Sequence, residues 1–303
     1  MTIPPRRVTL GVILAGVLLA GGGLWFKARD SSGFFEPRVL LSRFPPGDSV
    51  VLSVDVALLR RVGLLGASKM TSEPEYRQFV EGTGFDYQRD LDSVVASFST
   101  SGNYFIVRGR FNWPKLRDYA ARQGGSCYRD LCRVQGSRPE RHISFLPLRN
   151  DAMALAVSSN DLAATRLSKT GDPLSSSIST APVWISIPWA ALRGEEALPA
   201  GLRVTFSALQ SADRVLVTLG ASTKGVEAHM EADCRTADNA GILLSQLRTA
   251  TALLKEAGRR DKQIQSDELA STLSGGTFDQ SGTKVDGKWP VGKGLIDALT
   301  AGI

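Results

Sequence analysis

The longest apolar run in the chain lies near its N-terminus. Residues 8–26 (VTLGVILAGVLLAGGGLWF) contain no charged side chain, two arginines precede them, and Lys27 and Arg29 follow. A helix of this length spans about 28 Å, close to the hydrocarbon thickness of a bilayer. The pattern therefore predicts a short tail at residues 1–7 and one transmembrane anchor at residues 8–26, which would contact membrane lipid.

A cleaved signal peptide is the alternative interpretation of the same run. Ala20, Gly21 and Gly22 are small enough for a cleavage site. However, the apolar run continues through Trp25 and Phe26, and it is longer than the hydrophobic region of most signal peptides. We therefore favour an uncleaved signal-anchor.

The charges around the anchor disagree about its direction. Two basic residues precede it and four follow within about 17 residues, which by the positive-inside rule favours an outside N-terminus. A short basic tail followed at once by an apolar run is, by contrast, the usual export signal. We expect a single-pass membrane protein with its N-terminus inside and its folded domain on the periplasmic side.

Residues 27–47 are predicted to be a linker. Pro45-Pro46-Gly47 ends it with a stiff turn, and the apolar residues Phe34, Phe35 and 39–41 indicate a short helix at the membrane surface.

Alternating strand and helix patterns then define a first unit at residues 48–169. Val-rich or alternating segments predict strands, and residues such as Asn112 are suited to begin helices. The strands are expected at residues 49–55, 92–99, 104–110, 143–148 and 152–157.

A second linker at residues 170–181 is rich in Ser, Gly, Asp and Pro, and after it the pattern restarts. Residues 183–193 (VWISIPWAALR) resemble residues 51–60 (VLSVDVALLR), and both predict a strand followed by a short helix. A long amphipathic helix is expected at residues 237–257. The predicted fold class is α+β: one N-terminal transmembrane helix followed by two related antiparallel-sheet-plus-helix units, the second at residues 182–303.

Composition and charge narrow the function classes. The chain has 303 residues, of which 43% are hydrophobic, and this argues against disorder over most of its length. Residues 1–43 contain six basic and two acidic residues, so residues 44–303 contain 30 basic and 28 acidic ones. The net charge of +6 thus arises mainly around the anchor, and no nucleic-acid partner is expected.

No catalytic, metal or cofactor motif stands out. The metalloprotease, nucleophile-elbow, dinucleotide and P-loop patterns do not occur, and His142 and His229 have no ligand-type residue at metal spacing. Asp86, Asp90 and Asp92 lack calcium-loop spacing, so helix capping and strand entry are the simpler interpretation. We predict no catalytic residue, no metal and no cofactor.

Three short patterns of serine β-lactamases do occur, but in the wrong order. The SxxK pattern, Ser281 to Lys284, lies last and in a predicted hairpin turn. Those enzymes need it first and at the start of a helix, so we treat the match as coincidence.

The three cysteines permit one local disulfide. Cys127 and Cys132 are separated by four residues between predicted strand ends, a spacing that can bring two Cα atoms within bonding range. An exported domain would allow the oxidation. We expect a Cys127–Cys132 bond and a free Cys234.

Arginine is concentrated between residues 108 and 149. That segment contains ten basic and three acidic residues, a net charge of +7. The guanidinium group suits phosphate and carboxylate ligands. One basic surface that binds anions is the hypothesis, and dispersion of these charges over several faces is the alternative. The candidate residues are Arg108, Arg110, Arg117, Arg122, Arg129, Arg133, Arg138 and Arg141.

These features favour a membrane-anchored, non-enzymatic scaffold or accessory subunit of an envelope complex, with protein partners that the sequence does not specify. A module that binds an anionic ligand or lipid headgroup is the alternative. A hydrolase without recognisable motifs is the third and least favoured interpretation. A deep pocket with converging polar groups would favour the last two classes.

Overall fold

The structure, a computed structural model, describes residues 33–64, 73–136, 138, 140–172, 178–192, 209–222, 225–260, 268–292 and 294–295. The predicted tail and anchor at residues 1–26 lie outside these ranges. No helix in the described ranges is long and apolar enough to cross a bilayer.

Twelve strands of the described residues form one antiparallel sheet. Their order across the sheet is β11-β12-β10-β9-β8-β1-β2-β3-β7-β6-β5-β4. The strands are β1 Val50–Asp55, β2 Leu91–Ser99, β3 Gly102–Gly109, β4 Ser126–Tyr128, β5 Leu131–Gln135, β6 His142–Arg149, β7 Ala152–Ser158, β8 Val183–Pro188, β9 Ala212–Ser222, β10 Gly225–Cys234, β11 Thr277–Ser281 and β12 Lys284–Val291.

The helices connect these strands. They are α1 Pro37–Leu41, α2 Val56–Arg61, α3 Pro74–Thr83, α4 Tyr87–Asp90, α5 Trp113–Arg122, α6 Trp189–Leu192, α7 Ala237–Arg260 and α8 Glu268–Ser274, with 3-10 turns at Gly33–Phe35, Ala163–Ser168 and Leu209–Ser211.

The α+β class is confirmed, but the two predicted units share one sheet. β1 and β8 pair at its centre, with Val51 opposite Ser186 and Val54 opposite Val183. Outward from that pair, the first unit continues β2-β3-β7-β6 and the second β9-β10-β12-β11. Each unit therefore has the same strand order, and the β4–β5 hairpin is an addition to the first.

The longer helices cover one face of the sheet. Leu116 and Ala120 of α5 pack with Cys132, Phe145 and Met153. In the second unit α7 packs its buried residues, spaced three and four apart, against β9, β10 and β12. Its buried residues are Ala240, Leu243 and Leu247.

Local signals begin these helices as the sequence predicts. The side chain of Asn112 accepts a hydrogen bond from the Lys115 N–H at 3.2 Å, and Asp55 accepts one from the Leu58 N–H at 2.8 Å. Each side chain satisfies an amide that has no partner within the first helical turn.

The opposite face of the first unit is covered by the predicted linker. Leu40, Leu41 and Phe44 are at most 4% exposed, and they pack with Val51 and Trp184. Leu40 and Leu41 were predicted to lie in a short helix at the membrane surface. The structure instead makes them part of the core, because the small side chains of β7 leave room for them there.

In the second unit the same face carries polar and charged side chains. Lys284 lies 2.7 Å from Glu231, and His229 lies 3.4 Å from Asp286. These side chains are about one-third to one-half exposed, so this face is polar where that of the first unit is apolar.

Candidate functional surface

The β4–β5 hairpin is closed by a disulfide. Cys127 lies directly opposite Cys132 with a Cα–Cα distance of 4.0 Å, and the two are bonded. This confirms the predicted bond. Cys234 is buried and lies outside the disulfide, and burial raises the pKa of its thiol. Because Cys132 is also fully buried, the bond joins the hairpin to the core beneath α5.

The tip of this hairpin exposes an aromatic ring and a guanidinium group. The Tyr128 side chain is 70% exposed, and the Arg129 Cζ atom lies 5.6 Å from the centre of its ring. Arg129 has a φ of 52°, in the left-handed region that non-glycine residues seldom adopt. Asp130 is held by Arg117 of α5 at 2.6 Å. The turn is thus braced on two sides, and we call Tyr128 and Arg129 the hairpin tip.

The eight predicted anion-binding arginines lie in different surroundings. Four pair with aspartates: Arg108 with Asp151, Arg110 with Asp90, Arg117 with Asp130 and Arg133 with Asp161. Arg122 donates to the Gly82 carbonyl, while Arg129, Arg138 and Arg141 are exposed.

These arginines are not all on one side of the sheet. Arg117 lies on α5, whereas Arg133 is on the opposite face, beside the 3-10 turn at Ala163–Ser168. Anion binding by the exposed members stays a prediction.

Basic side chains also collect where β3 and β6 end and where β2 and β7 begin. Asp90 is shared by two arginines: Arg89 approaches it at 2.8 Å and Arg110 at 3.2 Å. The hydrogen bond from Arg89 holds the pKa of this carboxyl below its usual value, with support from the Asp86 N–H and the charge of Arg110, while desolvation opposes the shift. Both arginines are about two-thirds exposed.

Asp151 is shared in the same way. Arg108 lies 3.7 Å from it and Arg149 lies 3.4 Å from it. The Gly109 N–H donates to the Asp151 carbonyl, and the Arg110 N–H donates to the Asp90 carbonyl, so Asp151 and Asp90 flank the end of β3 on its two sides. Each group has two guanidinium cations and one carboxylate, which leaves an excess positive charge.

Two phenylalanines of the chain entering the domain lie against these arginines. Phe34 and Phe35 form an edge-to-face pair 4.9 Å apart. The Arg108 guanidinium lies 4.2 Å from the Phe35 ring and that of Arg149 lies 5.3 Å from the Phe34 ring, while Arg43 covers Phe34 at 4.6 Å. These distances are within cation–π range.

We call this surface the arginine end. Its members are Arg43, Arg89, Arg108, Arg110 and Arg149, with Phe34 and Phe35. Of these residues, only Arg108 and Arg110 were among the anion-binding candidates predicted from the sequence. The adjacent Phe34 and Phe35, which follow the predicted anchor, were the sequence feature that could have indicated the other members.

Among the aspartates near residue 90, Asp86 has the predicted capping role. Asp86 caps α4 by accepting from the Gln88 N–H at 3.0 Å, and its carboxylate also accepts from the Tyr76 hydroxyl at 2.9 Å. Asp92 lies 3.7 Å from Arg60. In the part of the chain that the structure describes, no group of three His, Cys, Asp or Glu side chains is arranged to hold a metal.

One cavity of about 350 Å³ lies between α3 and α5. Gly82 forms part of its floor, where a Cβ atom would lie 2.7 Å from the Tyr119 ring. The remaining lining residues are mainly polar: Gln78, Glu81, Tyr119, Arg122 and Gln123. Glu81 and Arg122 supply opposite charges, so the cavity has no net preference for an anion or a cation.

Comparison with known proteins identifies no family. No protein-family model matches the chain, and no curated protein matches it. Among solved structures, crystal form I of TP0453 is 13% identical with a TM-score of 0.47, and the match covers 86% of this chain and 98% of that one. Crystal form III is 11% identical, with a TM-score of 0.49 and coverage of 86% and 97%. A similarity at this level supports no conclusion about function.

Proposed function

We propose that this chain is a non-enzymatic envelope protein, anchored by residues 8–26 and exposing its sheet domain on the periplasmic side, where it serves as a scaffold or accessory subunit of a membrane complex. The supporting observation is the packing of residues 34–44 into the core. A domain whose core begins this close to an anchor is held within a short distance of the membrane. A free tether would instead let the domain move over a wide volume.

The shared strand order supports descent of the two units from one ancestral unit. Such a duplication would explain the resemblance of residues 183–193 to residues 51–60. The β4–β5 hairpin has no counterpart among the described strands of the second unit. Features added to only one copy of a repeat are natural places for specific function.

The hairpin tip is the surface best suited to a protein partner. Tyr128 is a large exposed aromatic residue, and tyrosine and arginine are enriched among residues that dominate binding energies. The disulfide and the Arg117–Asp130 pair hold the tip in one conformation, which reduces the entropy lost on binding. The expected partner surface is a shallow pocket for the tyrosine ring with a carboxylate beside it for Arg129.

Affinity purification of the full chain in mild detergent tests this role. We expect chains that co-purify with the wild type to be lost with Tyr128→Ser. The matched control is Leu253→Ser, which removes a similarly exposed apolar side chain, 62% exposed, from α7. Equal loss with both variants, or retention with both, contradicts the assignment of the hairpin tip.

The topology is tested separately. An alkaline-phosphatase fusion at the C-terminus should be active and a fluorescent-protein fusion dark, and intact mass should include residues 1–32. A fluorescent fusion would reverse the direction, and a mature N-terminus near Gly23 would remove the anchor.

A further inference from the structure

We propose that the arginine end is a docking surface for anionic phospholipid headgroups of the membrane that holds the anchor. This inference rests on the proposed anchor, and it adds a second contact between the domain and the bilayer. It differs from the basic segment expected at residues 108–149, because Arg43 and Arg89 lie outside that segment and most of its arginines lie outside the arginine end.

Chain length keeps this surface near the membrane. Eight residue steps separate Phe26, the last residue of the predicted anchor, from Phe34. A fully extended chain covers about 3.5 Å per step, so Phe34 lies within about 28 Å of the hydrocarbon edge. The headgroup layer occupies the first several ångströms of that distance. The short tether therefore holds the arginine end at a high effective concentration beside the headgroups, and even a weak contact would be populated.

The charges have the sign and the geometry for phosphate. The two Arg–Asp–Arg groups contain four guanidinium groups and two carboxylates. Addition of Arg43, and of the Asp86 carboxylate that accepts from Tyr76, gives five cations against three anions. Each guanidinium has five N–H donors. Some of them already bind the shared carboxylates, and Arg89, Arg110 and Arg43 also donate to backbone carbonyls. Phosphate oxygens would accept from the solvent-facing N–H groups of Arg89, Arg110 and Arg149.

The aromatic pair suits the same boundary. Phe34 and Phe35 are half-buried, with cations packed on their faces. Apolar rings beside basic side chains are the combination that binds a membrane surface, because the rings enter the interface while the cations meet the headgroups. An acidic protein would match the cations but would give the rings no comparable environment.

Hydrogen–deuterium exchange of the full chain in lipid nanodiscs tests the proposal. One set of discs contains phosphatidylcholine only, and the other contains phosphatidylcholine with phosphatidylglycerol. We expect exchange in residues 33–41 and 148–152 to be about fivefold slower in the anionic discs at low salt. The protection should disappear at high salt, because screening weakens contacts between cations and headgroups.

A paired substitution separates charge from fold. In Arg89→Gln/Arg149→Gln each shared aspartate keeps one arginine, so the excess charge is removed while each carboxylate stays paired. This variant should lose the lipid-dependent protection. The control Arg259→Gln/Arg260→Gln removes the same charge from the end of α7, where both side chains are 78% exposed, and it should keep the protection.

The outcomes are distinct from those for the anchor. A chain that fails to enter the discs contradicts the anchor. A chain that enters them but exchanges equally in both lipids overturns the headgroup proposal alone. Protection that is retained in the Arg89/Arg149 variant, or that needs an added acidic protein, also overturns it.

Discussion

Leu52 of β1 and Ile185 of β8 lie directly opposite each other, and they occupy the same position in the two repeated segments. Aligning Ala57-Leu58-Leu59-Arg60 with residues 190–193 places every position of the first segment 133 residues before its counterpart. With that offset, Val51 corresponds to Trp184 and Ser53 corresponds to Ser186. The Val51–Ser186 pair is therefore equivalent to the Ser53–Trp184 pair on the other side of Leu52 and Ile185. The centre of the sheet therefore has a local twofold arrangement, and its axis passes through this one residue pair.

The pair at the axis should contribute to stability as a unit. Leu52 is 3% exposed, and Ile185 is partly buried in the same cluster. We expect Leu52→Ala to reduce the free energy of unfolding by about 3 kcal/mol, and Ile185→Ala by less. Because the two side chains are cross-strand neighbours, the double variant should lose less than the sum, by about 0.5 kcal/mol or more. Strict additivity in denaturant titrations would contradict the contact.

The disulfide should stabilise the hairpin without being needed for the fold. Replacing both Cys127 and Cys132 with serine is expected to lower the free energy of unfolding by about 2 kcal/mol, since the closed loop is short. Thiol labelling of the denatured, unreduced protein should detect one free cysteine, Cys234. Detection of three would mean that the bond does not form in the cell.

The left-handed backbone at Arg129 predicts an unusual response to glycine. At a φ of 52° an L side chain is strained, whereas glycine is not. Arg129→Gly should therefore be more stable than Arg129→Ala by about 1 kcal/mol, although glycine normally destabilises a chain relative to alanine. A more stable alanine variant would show that the turn has another conformation in solution.

Residues next to the anchor should behave as core residues. Leu41 is fully buried, while Arg38, in the same helix, is exposed. We expect Leu41→Ala to cost about 3 kcal/mol of unfolding free energy and Arg38→Ala less than about 0.5 kcal/mol. Similar small effects for both would indicate that this segment is a linker after all.

Asp90 should make stability depend on acid pH. Its folded-state pKa is lowered, so the unfolded state binds more protons in the window just below the ordinary aspartate pKa of about 3.9. The resulting stability is present above that value and is lost as pH falls through the folded-state pKa. Asp90→Asn should therefore be less stable than the wild type at neutral pH, and the difference should shrink at low pH. Parallel pH profiles would contradict the shift.

Local elements were predictable because their signals are local. The helix beginning at Asn112 and the hairpin turning at Gly282 depend on caps, turn residues and alternation within a few positions. The joining of two units in one sheet was not predictable, because β1 and β8 are about 130 residues apart and the sequence of neither strand specifies its partner. Apolar residues at 39–41 were recognised, but periodicity does not say which surface covers them.

The two candidate surfaces, the hairpin and the arginine end, also differ in how far the sequence predicts them. The Cys127–Cys132 bond follows from a short spacing between strand ends. The arginine end depends on Arg43, Arg89 and Arg149, which meet only after β3, β6 and β7 have paired. A count of charge along residues 108–149 finds the excess of arginine, yet it does not distinguish the side chains that share one aspartate from those that lie on opposite faces.

Pairing of β1 with β8 has a consequence for synthesis. Because synthesis begins at the N-terminus, the first unit can pair β1 with β2 before β8 has been made. During that time the other edge of β1 has no strand beside it. At roughly 5–20 residues per second, β8 follows after about 7–27 s. During that interval an unprotected strand edge in the middle of the future sheet is open to other chains, which is a known route to aggregation. We therefore expect the nascent first unit to aggregate more readily than the domain with β8 in place.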